Sequence, residues 1–183
     1  MFGTIKKIFS KSSAKKSVTT KQVRNIESYF RDELIDNEYI KTEAHEIVMT
    51  HLCHKTNLNK TGNKLTADEK RKICINTRLS ITHELVAVLT DSGLAQNDPK
   101  DILSSLYSKA TFAKNHDDSM EQYRSIGVKF YKIMGCDDER DCKWCKSMDG
   151  EKVSIGQDFN SLIKNNCKCE SHCRLVTTAV VEF

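Results

Sequence analysis

The run Asp141-Cys142-Lys143-Trp144-Cys145-Lys146-Ser147-Met148-Asp149-Gly150 decides how this chain is read. Two residues between Cys142 and Cys145 let both thiolates reach one tetrahedral ion at about 2.3 Å. Asp149-Gly150 marks a tight turn, because glycine accepts the positive φ that such a turn needs. Twenty-one residues separate Cys145 from Cys167, where Asn166-Cys167-Lys168-Cys169-Glu170-Ser171-His172-Cys173-Arg174 brings a second group of sulfur and nitrogen donors. Six of the eight cysteines fall between Cys136 and Cys173, spaced Cys136-x5-Cys142-x2-Cys145-x21-Cys167-x-Cys169-x3-Cys173. A disulfide framework normally runs through a whole small domain, so this clustering points to metal ligation. The leader's apolar run is too short and interrupted for a secretory signal, and a reducing compartment is therefore expected.

Cys167 and Cys169, if extended, project to opposite sides of the backbone, and one ion is not expected to take both. Cys169 and Cys173 form the better second pair. The expected ligand set is thus Cys142, Cys145, Cys169 and Cys173, with Cys167 and His172 as alternates. Cys136 is a spare thiol. Four ligands close a zinc site and leave no position for water or substrate, so the expected Zn²⁺ is structural and no catalytic residue is assigned. A redox CxxC would follow a strand and open a helix within a βαβ unit, and that context is missing.

Upstream of the cysteines the pattern is helical. Val23, Ile26, Phe30 and Leu34 share one face over 20–35, and Ala44, Ile47, Val48, His51 and Leu52 do so over 42–57. Residues 57–64 read as a loop. Thr66 and Glu69 form a capping box that opens a helix expected to run to Ser92, with Gly93 ending it. Asp98-Pro99 starts another, buried through Ile102, Leu103, Leu106, Tyr107 and Ala110. A further helix is expected from Asp118 or Ser119 to Gly127. Strands follow over 128–133 and 175–183. The predicted fold class is α+β, mainly α: a basic leader (1–18), a helical body (19–127) and a small zinc-stapled module containing β-strands (128–183).

Charge narrows the partners. The chain totals +4, and five lysines within residues 1–17 leave the other 166 residues at −1. That gives no basic stripe of the kind nucleic-acid binding shows, although the leader would serve as an arm. Phe2, Ile5, Ile8 and Phe9 recur at helical spacing, so the leader is also a candidate for touching a membrane surface. From residue 129 onward nine Lys/Arg balance nine Asp/Glu. Four thiolates around Zn²⁺ add −2, which argues against phosphate binding. No apolar run is long enough to span a membrane.

Other candidate sites are set aside. His83-Glu84 lacks the second histidine of a zincin helix. His45 and His51 face apart on a helix, and His51 with His54 supplies only two ligands. Cys53 and Cys74 sit in apolar helical patterns and read as buried, inert thiols. The acids Asp137, Asp138, Glu139 and Asp141 read as a solvated face.

Cys142-Lys-Trp-Cys145-Lys-Ser-Met-Asp149-Gly150-Glu-Lys-Val153 resembles the CxxCxxxDG core of the phage Mu F-like minor head proteins, the phage head morphogenesis family. The resemblance covers only the C-terminal cysteine module. In that family an acidic turn leads into the CxxC, and an HPNCRC-type segment runs into a final strand. Asp138 to Asp141 are similar to the acidic turn. Asn166-Cys167-Lys168-Cys169 is similar to the NCRC part, with Lys164 where the family has histidine. In a second alignment, preferred because it keeps the strand in place and completes four ligands, Cys173-Arg174 takes the CR position beside the last strand and Cys169 replaces the histidine. The histidine-proline pair is absent in both. The resemblance implies a non-enzymatic assembly protein that contacts portal or capsid-like components, in the cytoplasm of a bacterial host or in the virion. A zinc-dependent nucleic-acid-binding protein and a toxin or effector with an illegible active site are the other function classes carried forward.

Overall fold

The computed structural model describes residues 24–35 and 37–181. The basic leader and the start of the first expected helix lie outside the described residues, as do the last two residues of the closing strand. The chain is α+β and mainly helical, with one three-stranded antiparallel sheet near its C-terminus.

The first core is built from short helices. α1 (Ile26–Ile35) buries Tyr29, Phe30 and Leu34, and α2 (His45–Leu52) follows a 3-10 turn over Thr42–Ala44. α3 (Ala67–Lys72) opens on the expected capping box, in which Glu69 N–H donates to Thr66 Oγ1 and Thr66 N–H donates to the Glu69 carboxylate. This helix is far shorter than expected. Cys74 adopts φ 59°, and the Asn76 side chain accepts the N–H of Arg78, which diverts the backbone from helical pairing. The chain re-enters helix at α4 (His83–Val88), capped by Thr82, and again at α5 (Asp91–Leu94), capped by Thr90.

Gly93 lies inside α5 and does not end a helix. A Cβ there would stand 2.5 Å from the Tyr39 carbonyl oxygen, so glycine is required by close backbone approach. Thr90 N–H donates to that same oxygen at 3.0 Å. The bridges Ile40–Leu89 and Lys64–Thr82 tie the loops between these helices.

α6 (Lys100–Ser125) is one continuous helix, where two were expected. Pro99 is the residue at its N-cap, and Asp98 just before it accepts the N–H of Lys100 at 3.0 Å. No glycine or proline interrupts residues 100–125, and the polar run around Asp118 is used sideways. Lys114 pairs with Asp118 one turn on, while Asp117 reaches across to Tyr29. Ile102, Leu103, Leu106 and Ala110 sit in the first core; Met120 sits in the second. A single rod therefore serves both cores.

The second core lies under the sheet. β1 (Phe130–Met134) is central, flanked by β2 (Lys152–Ser154) and β3 (Val176–Val180), both antiparallel to it. Tyr131 and Ile133 point inward, as alternation dictates, and Tyr131 pairs with Val153 on one side and Ala179 on the other. α7 (Lys143–Met148) and α8 (Phe159–Asn166) complete the module. α8 was not expected, yet Asp158 caps it through Ser161 N–H, and Phe159 is fully buried against Tyr131 and His116. Gly150 takes φ 82°, and Asp149 accepts the Gly135 N–H at 2.7 Å, so the Asp-Gly turn locks onto the end of β1.

Candidate metal centre

Cys142 is the N-cap of α7, and its extended φ/ψ directs the chain into the helix that carries Cys145 inward. The CxxC thus straddles a helix start. The second group arrives where α8 stops: Cys167 is its C-cap, and residues 167–175 form no regular element. Strand alternation does not apply to such a segment, so Cys167 and Cys169 turn to the same side. The Sγ atoms of Cys142, Cys145, Cys167 and Cys169 all lie within 4.8 Å of one another.

The spacings have chemical meaning. Cys145 Sγ is 3.5 Å from Cys167 Sγ and 3.6 Å from Cys169 Sγ. A disulfide needs about 2.05 Å. A tetrahedron with metal–sulfur bonds of about 2.3 Å has edges of roughly 3.8 Å. The sulfurs are therefore placed as ligands are, and the eight cysteines of the sequence are all free thiols.

Backbone N–H groups reinforce the cluster. Cys142 N–H points at Cys169 Sγ (3.4 Å), Lys168 N–H at Cys142 Sγ (3.3 Å) and Cys169 N–H at Cys167 Sγ (3.5 Å). Two of these bonds cross from one cysteine group to the other, and all stabilise the sulfur as an anion. At Cys142 burial opposes ionisation, but the N–H groups of Lys168 and Cys145 outweigh it and bring the thiol down to about 6. Burial and neighbouring thiols push Cys145 far up, burial raises Cys169, and burial takes Cys173 up to about 12. One low thiol among raised ones is what crowded like charges produce. A divalent cation would reverse the balance and hold all four as thiolates.

Of the other expected ligands, Cys173 is buried with its Sγ 3.7 Å from Cys145 Sγ, a fifth sulfur beside the four. His172 is turned away. Its Nδ1 meets Ser171 Oγ at 3.0 Å and its ring lies against Phe112. Cys136 is exposed and outside the cluster. Among the described residues no other group of three or more potential ligands converges. His51 accepts the Leu58 N–H and His54 sits beside Tyr107. Cys53 packs half-buried against the first core, but Cys74, expected to be buried, is exposed because its left-handed backbone ends α3.

The acidic run is not wholly a solvated face. Arg174 donates to both oxygens of Asp138 and, at 2.7 Å, to Asp141, whose side chain is only 2 % exposed. The bonds to Arg174 and Arg140 hold Asp138 well below the usual carboxylate range. This clamp joins the residue after Cys173 to the residue before Cys142, and so fixes the two cysteine groups against each other. Sequence reasoning missed it, although an arginine next to the last cysteine and acids next to the CxxC were the available signal.

A second latch fastens the module to α6. Asn160 Nδ2 donates to Ala113 O (2.8 Å) and to Asp117 Oδ1 (3.0 Å), which fixes its amide and turns Oδ1 toward His116 Nδ1 (3.1 Å). His116 Nε2 lies 2.9 Å from Leu175 O, and Tyr29 O–H donates to Asp117 at 2.7 Å. Burial lowers the His116 pKa, against the pull of its hydrogen bonds to Asn160 and Leu175. Between this latch and the cysteines lies a cavity of about 540 Å³ bordered by Phe112, His116, Asn160, Cys167 and Cys173.

Four close cysteines that can hold a metal ion, in a chain whose described helices are none of them long and apolar enough to cross a membrane, are the functional features in hand. No family model matches the chain, and no curated protein or solved structure matches it either.

Proposed function

We propose that Cys142, Cys145, Cys167 and Cys169 hold a structural zinc ion, and that the chain is a non-enzymatic assembly protein of the phage head morphogenesis type. The observation that carries the first part is the mutual approach of four sulfurs to within 4.8 Å, drawn from the starts and ends of two different helices. An all-sulfur tetrahedral donor set favours zinc or iron over hard cations. With four protein ligands there is no vacant position for substrate, so the ion's role is to hold the fold. The assembly role rests on the resemblance of the CxxC-to-Asp-Gly run, and balanced charge around the site favours protein over phosphate partners.

Replacing the metal with cobalt(II) tests the site: tetrahedral thiolate ligation gives intense sulfur-to-metal charge-transfer absorption, and Cys145→Ser removes it. Absence of those bands contradicts the assignment. Co-expression with a portal-type protein tests the role. Stable co-purification at high salt supports assembly, whereas binding only to DNA with a steep salt dependence contradicts it in favour of a nucleic-acid function.

A further inference from the structure

Four thiols suffice for a closed site, yet a fifth is packed against them. Cys173 is 8 % exposed, and its Sγ is 3.7 Å from the Cys145 Sγ that Cys167 Sγ approaches to 3.5 Å. A cysteine in an apolar core is ordinarily inert. This one differs in two respects. Its Sγ lies against that of Cys145, one of the four clustered sulfurs, and it borders the 540 Å³ cavity together with Cys167. Cys145 does not border that cavity and is 1 % exposed, whereas Cys167, on the same Cys145 sulfur as Cys173, borders it and is open to a small solute. Both Cys167 and Cys173 lie in the irregular segment 167–175, where rotation about the side chains and small backbone shifts can bring sulfur to sulfur.

We propose that Cys167 and Cys173 form an oxidisable pair that makes the metal centre a hydroperoxide-sensitive modification site. The proposal rests on the zinc assignment above. A hydroperoxide entering by the cavity is attacked by the Cys167 sulfur; the O–O bond breaks, Cys167 becomes a sulfenic acid and hydroxide or alkoxide leaves. The Cys173 thiol then attacks that sulfur, the S–O bond breaks and water leaves. Two thiols are oxidised to one disulfide and one hydroperoxide is reduced. The ion loses one of its four ligands and is released. Added dithiol reverses the sequence, and the ion rebinds.

The test uses the full chain loaded with zinc. Treatment with hydrogen peroxide is followed by a chromophoric zinc chelator and by peptide mass mapping. Zinc is expected to appear in step with a Cys167–Cys173 disulfide, and dithiothreitol should restore binding. Cys173→Ala should bind zinc as the parent does, but after peroxide its Cys167 should pass to sulfinic acid, with recovery of binding reduced at least about fivefold. Recovery equal to the parent, a disulfide mapping to another pair, or loss of zinc by Cys173→Ala before oxidation each overturns the proposal. A chain that holds no zinc before peroxide overturns the metal assignment itself, which separates the two failures.

Discussion

The two cores of this protein are held by different means. Among the described residues the helical core gathers nineteen buried hydrophobic residues, from α1 through the first half of α6. The core under the sheet has eight among the described residues, and two of them are cysteines. A smaller core buries less apolar area to offset the entropy of ordering the strands, loops and short helices around it. The difference teaches where the proposed metal would act: the first region has a large apolar core, and in the second an ion would cross-link segments that share a much smaller one.

Breaking the cross-link should have the largest effect. Cys145→Ser removes the most buried ligand. Structural zinc contributes roughly 10–16 kcal/mol of apparent binding free energy, so the module should lose its fixed structure while α1 to α5 keep theirs. Amide hydrogen exchange, read separately over residues 26–110 and 130–180, checks this. Uniform protection in the variant would mean that the second core does not depend on the ion.

The converse experiment is Leu85→Ala. Leu85 is fully buried in the first core, and its truncation should cost about 2–5 kcal/mol with zinc still bound one to one. Denaturant unfolding alongside metal analysis separates the two regions. Gly93→Ala should cost about 1–3 kcal/mol, because its methyl group meets the Tyr39 carbonyl.

Arg174→Met tests the clamp. It leaves every thiol in place but frees Asp138 and Asp141, and zinc affinity measured by chelator competition should fall about tenfold or more, as for other groups that orient ligands. An unchanged affinity would show that the cysteine groups are aligned without it.

The smallest effect concerns pH. His116 has a folded-state pKa below its ordinary value, so the unfolded chain binds a proton more readily. Stability is therefore present above about pH 6.5 and declines as pH falls from there toward the lowered pKa. His51 and His172 are lowered in the same direction by burial and add to the slope. His116→Gln should flatten the decline in melting temperature between pH 7.5 and 5.5 by a few degrees. An identical slope in the variant removes His116 from the account.

Much of this contrast was legible in the sequence. The α+β class, the cysteine-rich C-terminal region and the participation of Cys142, Cys145 and Cys169 in one cluster followed from spacing. So did the capping box at Thr66 and the turn at Gly150. What failed did so for local reasons. Alternation does not govern Cys167 and Cys169, which follow a helix end and belong to no strand. The helix that opens at Thr66 stops short of Cys74 and Asn76, where side-chain and left-handed backbone geometry redirect the chain. α6 continues through a polar run whose side chains tertiary partners absorb. α8 was missed although Asp158, Phe159, Leu162 and Ile163 stand at cap and helical spacing. The Arg174 clamp joins residues far apart in sequence, and no local pattern reports such a pairing.

The central claim is that one ion, held by four sulfurs from two separate stretches, orders the C-terminal module. Elemental analysis of the reduced chain combined with X-ray absorption at the zinc edge tests it most directly. The account predicts one zinc per chain in a shell of four sulfurs at about 2.3 Å. A metal-free reduced protein whose module is equally well ordered, or a shell in which nitrogen or oxygen replaces sulfur, would contradict it.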